Sequence, residues 1–174
     1  LRPANFSGRA AAGRRAMLGV EPGRTIATRH NAFIRVRSSY AFGAADDAPV
    51  MPSDYEPLPE LEFVTQIAEK LLGLPGALCY FNPNGEMLRD QQGLRETFDF
   101  GKTNDFPPLD AWSNVRMFNI NAQWCLMDTV GNGQLDIPDS EACFHAESFD
   151  FDQIDNFLRN VSLYVLNNGE VITE

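Results

Sequence analysis

The sequence lacks any long apolar run, and this absence limits the class of protein. A membrane-crossing helix needs about 20 consecutive apolar residues, and no stretch of the 174 residues approaches that length. Hydrophobic residues still make up 44% of the chain, which is enough to form a buried core. The sequence therefore predicts a soluble globular protein with no membrane partner.

Cysteine and histidine are also scarce. The three cysteines, Cys79, Cys125 and Cys143, each lie in an apolar segment, and their odd number favours buried, reduced thiols over a disulfide framework. The two histidines, His30 and His145, and the scattered cysteines do not form a zinc-ligand spacing. No phosphate-binding glycine loop or nucleophile-elbow motif is present. These absences favour a cytoplasmic protein that needs no cofactor or metal and is not an enzyme.

Positive charge is rare in most of the chain. Eight of the 14 basic residues are arginines within residues 1–40, where Glu21 is the single acid. The remainder carries six basic and twenty-three acidic residues. A body this negative repels nucleic acid and anionic membranes and favours a basic protein partner. The alternative interpretation is that the acidic surface only provides solubility.

Residues 1–29 differ in composition from the rest of the chain. They are rich in Arg, Ala and Gly, which is typical of a flexible basic arm, of an organelle transit peptide or of a fragment of a larger N-terminal part. The remaining length suits one domain, since domains run to about 100–200 residues. The sequence predicts a basic arm or a fragment of a missing N-terminal part over 1–29, and a single α+β domain over 30–174.

Short-range patterns predict the first elements of this domain. In HNAFIRVRSS, Ile34 and Val36 alternate with arginines, which is the period-two signal of a half-buried strand. A helix is predicted from about Pro59 to Gly73, because proline suits a first helical turn and glycine often ends a helix. Its apolar stripe consists of Leu61, Val64, Ile67, Ala68, Leu71 and Leu72.

The rest of the chain mixes strands and helices. GALCYF predicts a strand, NPNGE a turn with Gly85 at positive φ, and DQQGLRETFDF a short helix. SNVRMFNI and QWCLMDTV predict an antiparallel strand pair, and ACFHAE one more strand. The last helix is predicted to begin at Asp150, with a capping box to Gln153, and to end at Gly169 before a strand EVIT. This order predicts the α+β class, an antiparallel sheet with helices packed on one face.

Residues 128–139, DTVGNGQLDIPD, resemble a calcium-binding loop of EF-hand type. Five residues fit loop positions one, five, six, nine and twelve: Asp128, Asn132, Gly133, Asp136 and Asp139. Position three is Val130, which offers no oxygen ligand, and the preceding segment reads as strands rather than the required helix. A strand-end turn built on the glycines is therefore preferred, and an EF-hand-like loop at 128–139 is kept as an alternative.

A second alternative is a hydrolase-type site near Cys143, His145 and Asp150. Residues two apart on a strand point to the same face, so Cys143 and His145 can approach a thiol–imidazole pair. No third orienting residue can be named, although several carboxylates follow near Asp150. The simpler interpretation is a buried cysteine beside a histidine at the rim of the core.

Four segments resemble a bacterial family catalogued as domain of unknown function 4261. They are LPGALCYFNPNGEMLRD, PPLDAWSNVRMFNI, LMDTVGNGQLDIPDSE and IDNFLRNVSLYVLNNGEVITE. The matching positions are Trp112, Gly131, Leu135, Pro138, Gly169 and Val171. The resemblance covers about residues 30–174 and implies that GNGQLDIPD is a strand-to-loop transition. It implies no activity and no functional residues, and it leaves the chain looking trimmed at both ends.

Acidic character and the lack of a reactive constellation together favour a non-enzymatic protein-interaction module. The partner that this composition favours is a basic protein, and an immunity-like protein that neutralises a basic toxin is one version.

Overall fold

Three helices and five strands lie wholly within residues 29–169, the part of the chain that the computed structural model describes. The helices are α1 (Pro57–Leu72), α2 (Gln91–Asn104) and α3 (Phe151–Asn168). The strands are β1 (Tyr80–Asn82), β2 (Met87–Arg89), β3 (Asn114–Asn119), β4 (Trp124–Val130) and β5 (Glu141–His145). Short 3-10 helices span Leu109–Ala111 and Asn132–Leu135. This content confirms the predicted α+β class.

The strands form two antiparallel sheets. Strands β1 and β2 make a hairpin, and the other three form a sheet in the order β3-β4-β5. Opposite Leu126 of β4 lie Phe118 of β3 and Cys143 of β5, so these three side chains share one face. The predicted β3–β4 pair and the predicted strand in ACFHAE are both confirmed.

Helix α3 packs on one face of the three-stranded sheet. Leu158 of α3 forms a buried cluster with Cys125, Met127 and Phe144, which all point to that face. The helix begins after Asp150, whose side chain accepts a hydrogen bond from the backbone N–H of Asp152 at 2.8 Å. It ends before Gly169, where φ is +74°, as predicted.

Helix α1 packs against α2 and carries a buried carboxylate. Glu69 is buried and accepts a hydrogen bond from Arg95 of α2, while Lys70 lies 3.3 Å from its second oxygen. This hydrogen bond from Arg95 holds the pKa of Glu69 below its usual value. The predicted helix is confirmed, although it begins at Pro57 rather than Pro59.

Trp112 occupies the centre of the larger core and is fully buried. Its indole N–H donates to the Thr65 hydroxyl of α1 at 2.8 Å. Its backbone carbonyl accepts from Gln134 Nε2 at 3.1 Å and lies against the backbone of Gly85 and Gly131. A Cβ atom on either glycine would collide with that carbonyl oxygen. One residue thus brings together α1, the β1–β2 turn and the end of β4.

Two local predictions are wrong. Residues 31–39 form no strand, and Phe33 and Ile34 are 78% and 71% exposed. Alternation alone does not make a strand, because a strand needs a neighbour to pair with, and the described strands leave this segment unpaired. In the NPNGE turn the positive φ falls on Glu86 rather than Gly85. The predicted strand EVIT lies outside the described residues, as does nearly all of the segment 1–29.

We predict that Gly131→Ala lowers the free energy of unfolding by about 2 kcal/mol or more. The alanine would have to adopt the positive φ of +108° that Gly131 has, and its Cβ atom would collide with the Trp112 carbonyl oxygen. Gly133→Ala is the matched control, because no heavy atom lies within 4 Å of its Cβ position, and a change within about 0.5 kcal/mol is expected. Equal denaturation midpoints for the two variants would contradict the packing described.

The depressed pKa of Glu69 predicts a pH dependence of stability. The pKa of Glu69 is lower in the folded state than in the unfolded state. The stabilisation that charged Glu69 provides is therefore complete at pH values above the unfolded-state pKa, and it is lost as the pH falls through the folded-state pKa. Acidification from neutral pH should therefore reduce the unfolding free energy of the wild type more than that of Glu69→Gln. The exposed Glu56→Gln is the control and should follow the wild type. Parallel curves of unfolding free energy against pH for the wild type and Glu69→Gln would refute this prediction.

Candidate functional site

The loop that resembles a calcium site lies between two strands. It begins in β4 and leads into β5, so no helix precedes it, and the helix–loop–helix arrangement of an EF-hand is not formed. Asp128, which would be the first ligand, accepts a hydrogen bond from Arg116 Nε at 3.0 Å. Gly131 has a φ of +108° and leads into the 3-10 helix Asn132–Leu135. The predicted strand-end turn built on the glycines is confirmed.

Buried polar contacts explain the other residues of this loop. Asn132 is fully buried, and its amide N–H groups donate to Ser162 Oγ of α3 at 2.8 Å and to the Pro138 carbonyl at 3.1 Å. Asp139 Oδ1 accepts from the backbone N–H of Asn132 and from the Thr129 hydroxyl, both at 3.1 Å. Two residues that would bind calcium in an EF-hand thus fasten the loop to itself and to α3.

The three residues of the predicted hydrolase-type site are not joined to one another. Cys143 and His145 share one face of β5, as predicted, yet in the described residues no hydrogen bond links the thiol to the imidazole. His145 Nδ1 instead accepts from the backbone N–H of Glu147 at 3.4 Å. Asp150 caps α3. Cys143 is exposed, so the prediction of a buried cysteine there is wrong, because its side chain faces away from α3.

All three cysteines are free thiols with different surroundings. Cys125 is buried beneath α3, and Cys79 is partly buried, which raises the pKa of its thiol. The predicted absence of a disulfide framework therefore holds for the described residues.

The face of the three-stranded sheet opposite α3 carries a group of apolar and aromatic side chains. We call it the open sheet face, and its members are Phe118, Ile120, Trp124, Leu126, Cys143 and His145. Ile120, Phe118 and Trp124 are 56%, 45% and 43% exposed. The Trp124 and His145 rings contact edge to face, with centroids 5.8 Å apart. The strands were predicted from the sequence, but which of their side chains stay uncovered by α3 was not.

Charged groups border the open sheet face. Asp128 and Glu141 are paired in register on the same face, and Arg116 lies opposite Asp128 on β3. Arg116 also donates to Glu86 at 3.0 Å, and its guanidinium lies 5.3 Å from the centre of the Phe118 ring. The hydrogen bonds and charge of Asp128 raise the pKa of Arg116 above its usual value. These bordering groups therefore comprise three carboxylates and one cation.

A buried ion pair anchors α3 and was not apparent from sequence. Arg159 donates to Asp110 at 2.7 Å and to Asp155 at 3.0 Å, and all three side chains are less than one-fifth exposed. Burial alone would lower the pKa of Arg159, but the two carboxylates raise it above its usual value. Asp110 and Arg159 are 49 positions apart in the chain, so no local pattern pairs them.

Residues 29–169 contain no group of three or more His, Cys, Asp or Glu side chains arranged to hold a metal ion. None of the helices in the same part of the chain combines the length and apolar character that a membrane-crossing helix requires.

One family model matches part of the chain. Residues 128–174 match the family model described as Domain of unknown function (DUF4261). The matched segment begins in β4 and contains the 3-10 helix Asn132–Leu135, β5 and α3. This confirms the predicted resemblance for these residues, while its extension over 30–127 stays a prediction. No curated protein and no solved structure gives a significant match.

We predict that calcium does not stabilise this protein. Thermal unfolding midpoints measured with calcium and with EDTA should coincide, because Asp128 and Asp139 are engaged in internal contacts. Asp139→Asn should lower both midpoints equally, since it weakens the hydrogen bonds that close the loop. A calcium-specific rise that Asp139→Asn abolishes would establish an ion site in the loop.

Proposed function

We propose that this chain is a non-enzymatic protein-interaction module whose acidic surface binds a basic protein. The observation that carries this proposal is the balance of its charges. Residues 29–169 contain 21 acidic and nine basic residues. A surface with this balance attracts a positively charged partner and accelerates its association.

Internal ion pairs within residues 29–169 engage carboxylates as well as cations, so they leave the excess of negative charge almost unchanged. Arg159 and Arg116 are each held by two carboxylates. Arg95 and Lys70 share Glu69. Much of the positive charge is therefore already neutralised by neighbouring side chains.

Four exposed carboxylates, by contrast, have no cation beside them in the part of the chain that the structure describes. Asp46, Asp47, Asp54 and Glu56 are exposed, and none of the four forms an ion pair within the described residues. Such carboxylates add to the negative field that attracts lysine and arginine side chains of another protein. Screening by salt should weaken that attraction, because exposed charges lose most of it beyond about 10 Å at moderate ionic strength.

The setting of the proposed module is a bacterial cytoplasm. Three free thiols are in keeping with a reducing compartment. An immunity-like protein that neutralises a basic toxin is one concrete version of this role. It requires a partner with a large positive charge and a tight, salt-sensitive complex.

The proposal predicts a basic partner whose affinity depends on salt. The immobilised full chain is exposed to lysate of its source cells at low ionic strength, and each captured protein is purified for binding measurements. The dissociation constant should rise by about tenfold or more between low and high ionic strength. Capture of no basic protein, or an affinity that ignores salt, would refute the proposal.

A charge-neutralised variant sharpens this experiment. Replacing Asp46, Asp47, Asp54 and Glu56 by their amides should reduce the salt dependence as well as the affinity, because exposed charges act mainly on association. Gln66→Glu and Gln92→Glu, which add charge on exposed helical positions, serve as the opposite control and should not weaken binding.

A further inference from the structure

We propose that the open sheet face is where the basic partner docks, and that the partner presents apolar side chains accompanied by lysine or arginine. This inference rests on the proposed function and assigns it a location. It follows from the composition of the face, from the charges that border it and from the side of the sheet on which α3 packs.

The composition of the open sheet face matches that of protein-binding surfaces. Trp124, Phe118 and Ile120 are each about half exposed although they sit on regular strands or directly beside them. Tryptophan and other aromatic residues dominate the binding energy of interfaces, because they bury a large area with few rotatable bonds. On the other side of the sheet, Cys125 and Met127 of β4 and Phe144 of β5 are buried against α3, although Met117 of β3 is 50% exposed. The contrast between the two faces therefore holds along β4 and β5.

The border of this face selects the charge of the partner. Within residues 29–169, this border carries Glu86, Asp128 and Glu141 against one cation, Arg116. Exposed Glu147 follows β5 two residues after His145. An apolar centre with a negative border fits a surface whose apolar side chains are flanked by lysine or arginine. A partner surface that is apolar and acidic would meet repulsion at the same border.

A second copy of the chain fits this face poorly. Two copies packed face to face would bring the carboxylates of both borders together, and each chain already carries a net charge of −10. Like charges placed across an interface repel each other and disfavour the complex. The charge arrangement therefore favours a different protein over self-association.

The two tryptophans allow docking to be measured directly. Trp112 is fully buried and Trp124 is 43% exposed, so quenching of fluorescence by acrylamide reports on Trp124. Trp124→Phe leaves only Trp112 and gives the background signal. Three synthetic peptides serve as probes of the full chain: one alternates lysine with leucine, one lysine with serine, and one glutamate with leucine.

Only the lysine–leucine peptide should protect Trp124 from acrylamide at low peptide concentration. Phe118→Ser should weaken its binding, and that of any captured basic partner, by about tenfold. Phe157→Ser is the matched control, because Phe157 is 58% exposed on α3 and lies outside the open sheet face. It should leave both affinities unchanged.

Protection by none of the three peptides, or protection by the glutamate–leucine peptide, would also show that the proposed docking face is wrong. Equal protection by the lysine–serine peptide would show that charge alone is recognised, and the proposed docking face would be wrong. A salt-sensitive partner unaffected by Phe118→Ser would overturn the location but leave the proposed function standing. A concentration-dependent dimer in sedimentation that Phe118→Ser abolishes would make a second copy the occupant and would also overturn it.

Discussion

The close approach of Trp112 to two glycines is the constraint on which the rest of the structure depends. Its carbonyl can lie against Gly85 and Gly131 only because neither has a Cβ atom, and its indole must find Thr65 because a buried N–H without a partner is costly. These contacts set the position of the β1–β2 hairpin, of α1 and of the end of β4 together. The three-stranded sheet therefore presents its two faces in a defined relation to the larger core.

Much of the fold could be predicted because its elements are encoded by local patterns. The cap at Asp150, the stop at Gly169 and the pairing of β3 with β4 all follow from neighbouring residues. The strand prediction around Ile34 was wrong because a strand also needs a neighbouring strand to pair with, and local alternation does not show whether one is present. The contacts of Asn132 with Ser162 and of Arg159 with Asp110 were not predictable, since each joins residues at least 30 positions apart.

The open sheet face could be predicted from the sequence only in part. Cys143 and His145 were correctly placed on one face, but which face α3 would cover depends on tertiary packing, so Cys143 was wrongly expected to be buried. The acids and glycines near Asn132 suggested ion binding because ligand residues and turn residues are the same types. Here Asp139 accepts hydrogen bonds from a backbone N–H group and a hydroxyl. The spacing of residues alone does not distinguish this role from binding a calcium ion.

The segment that matches the family model draws on contacts from the preceding part of the chain. It begins at Asp128, partway along β4, and therefore excludes β3. Strand β3 pairs with β4 along one edge, from Asn119 opposite Cys125 to Asn114 opposite Val130. Its glycine turn closes against Trp112, and its buried arginine needs Asp110. A polypeptide cut at that boundary would lose half of a strand, expose apolar area and leave a charge without its counterion. Any excised fragment meant to fold cooperatively should therefore retain the residues from α1 onward.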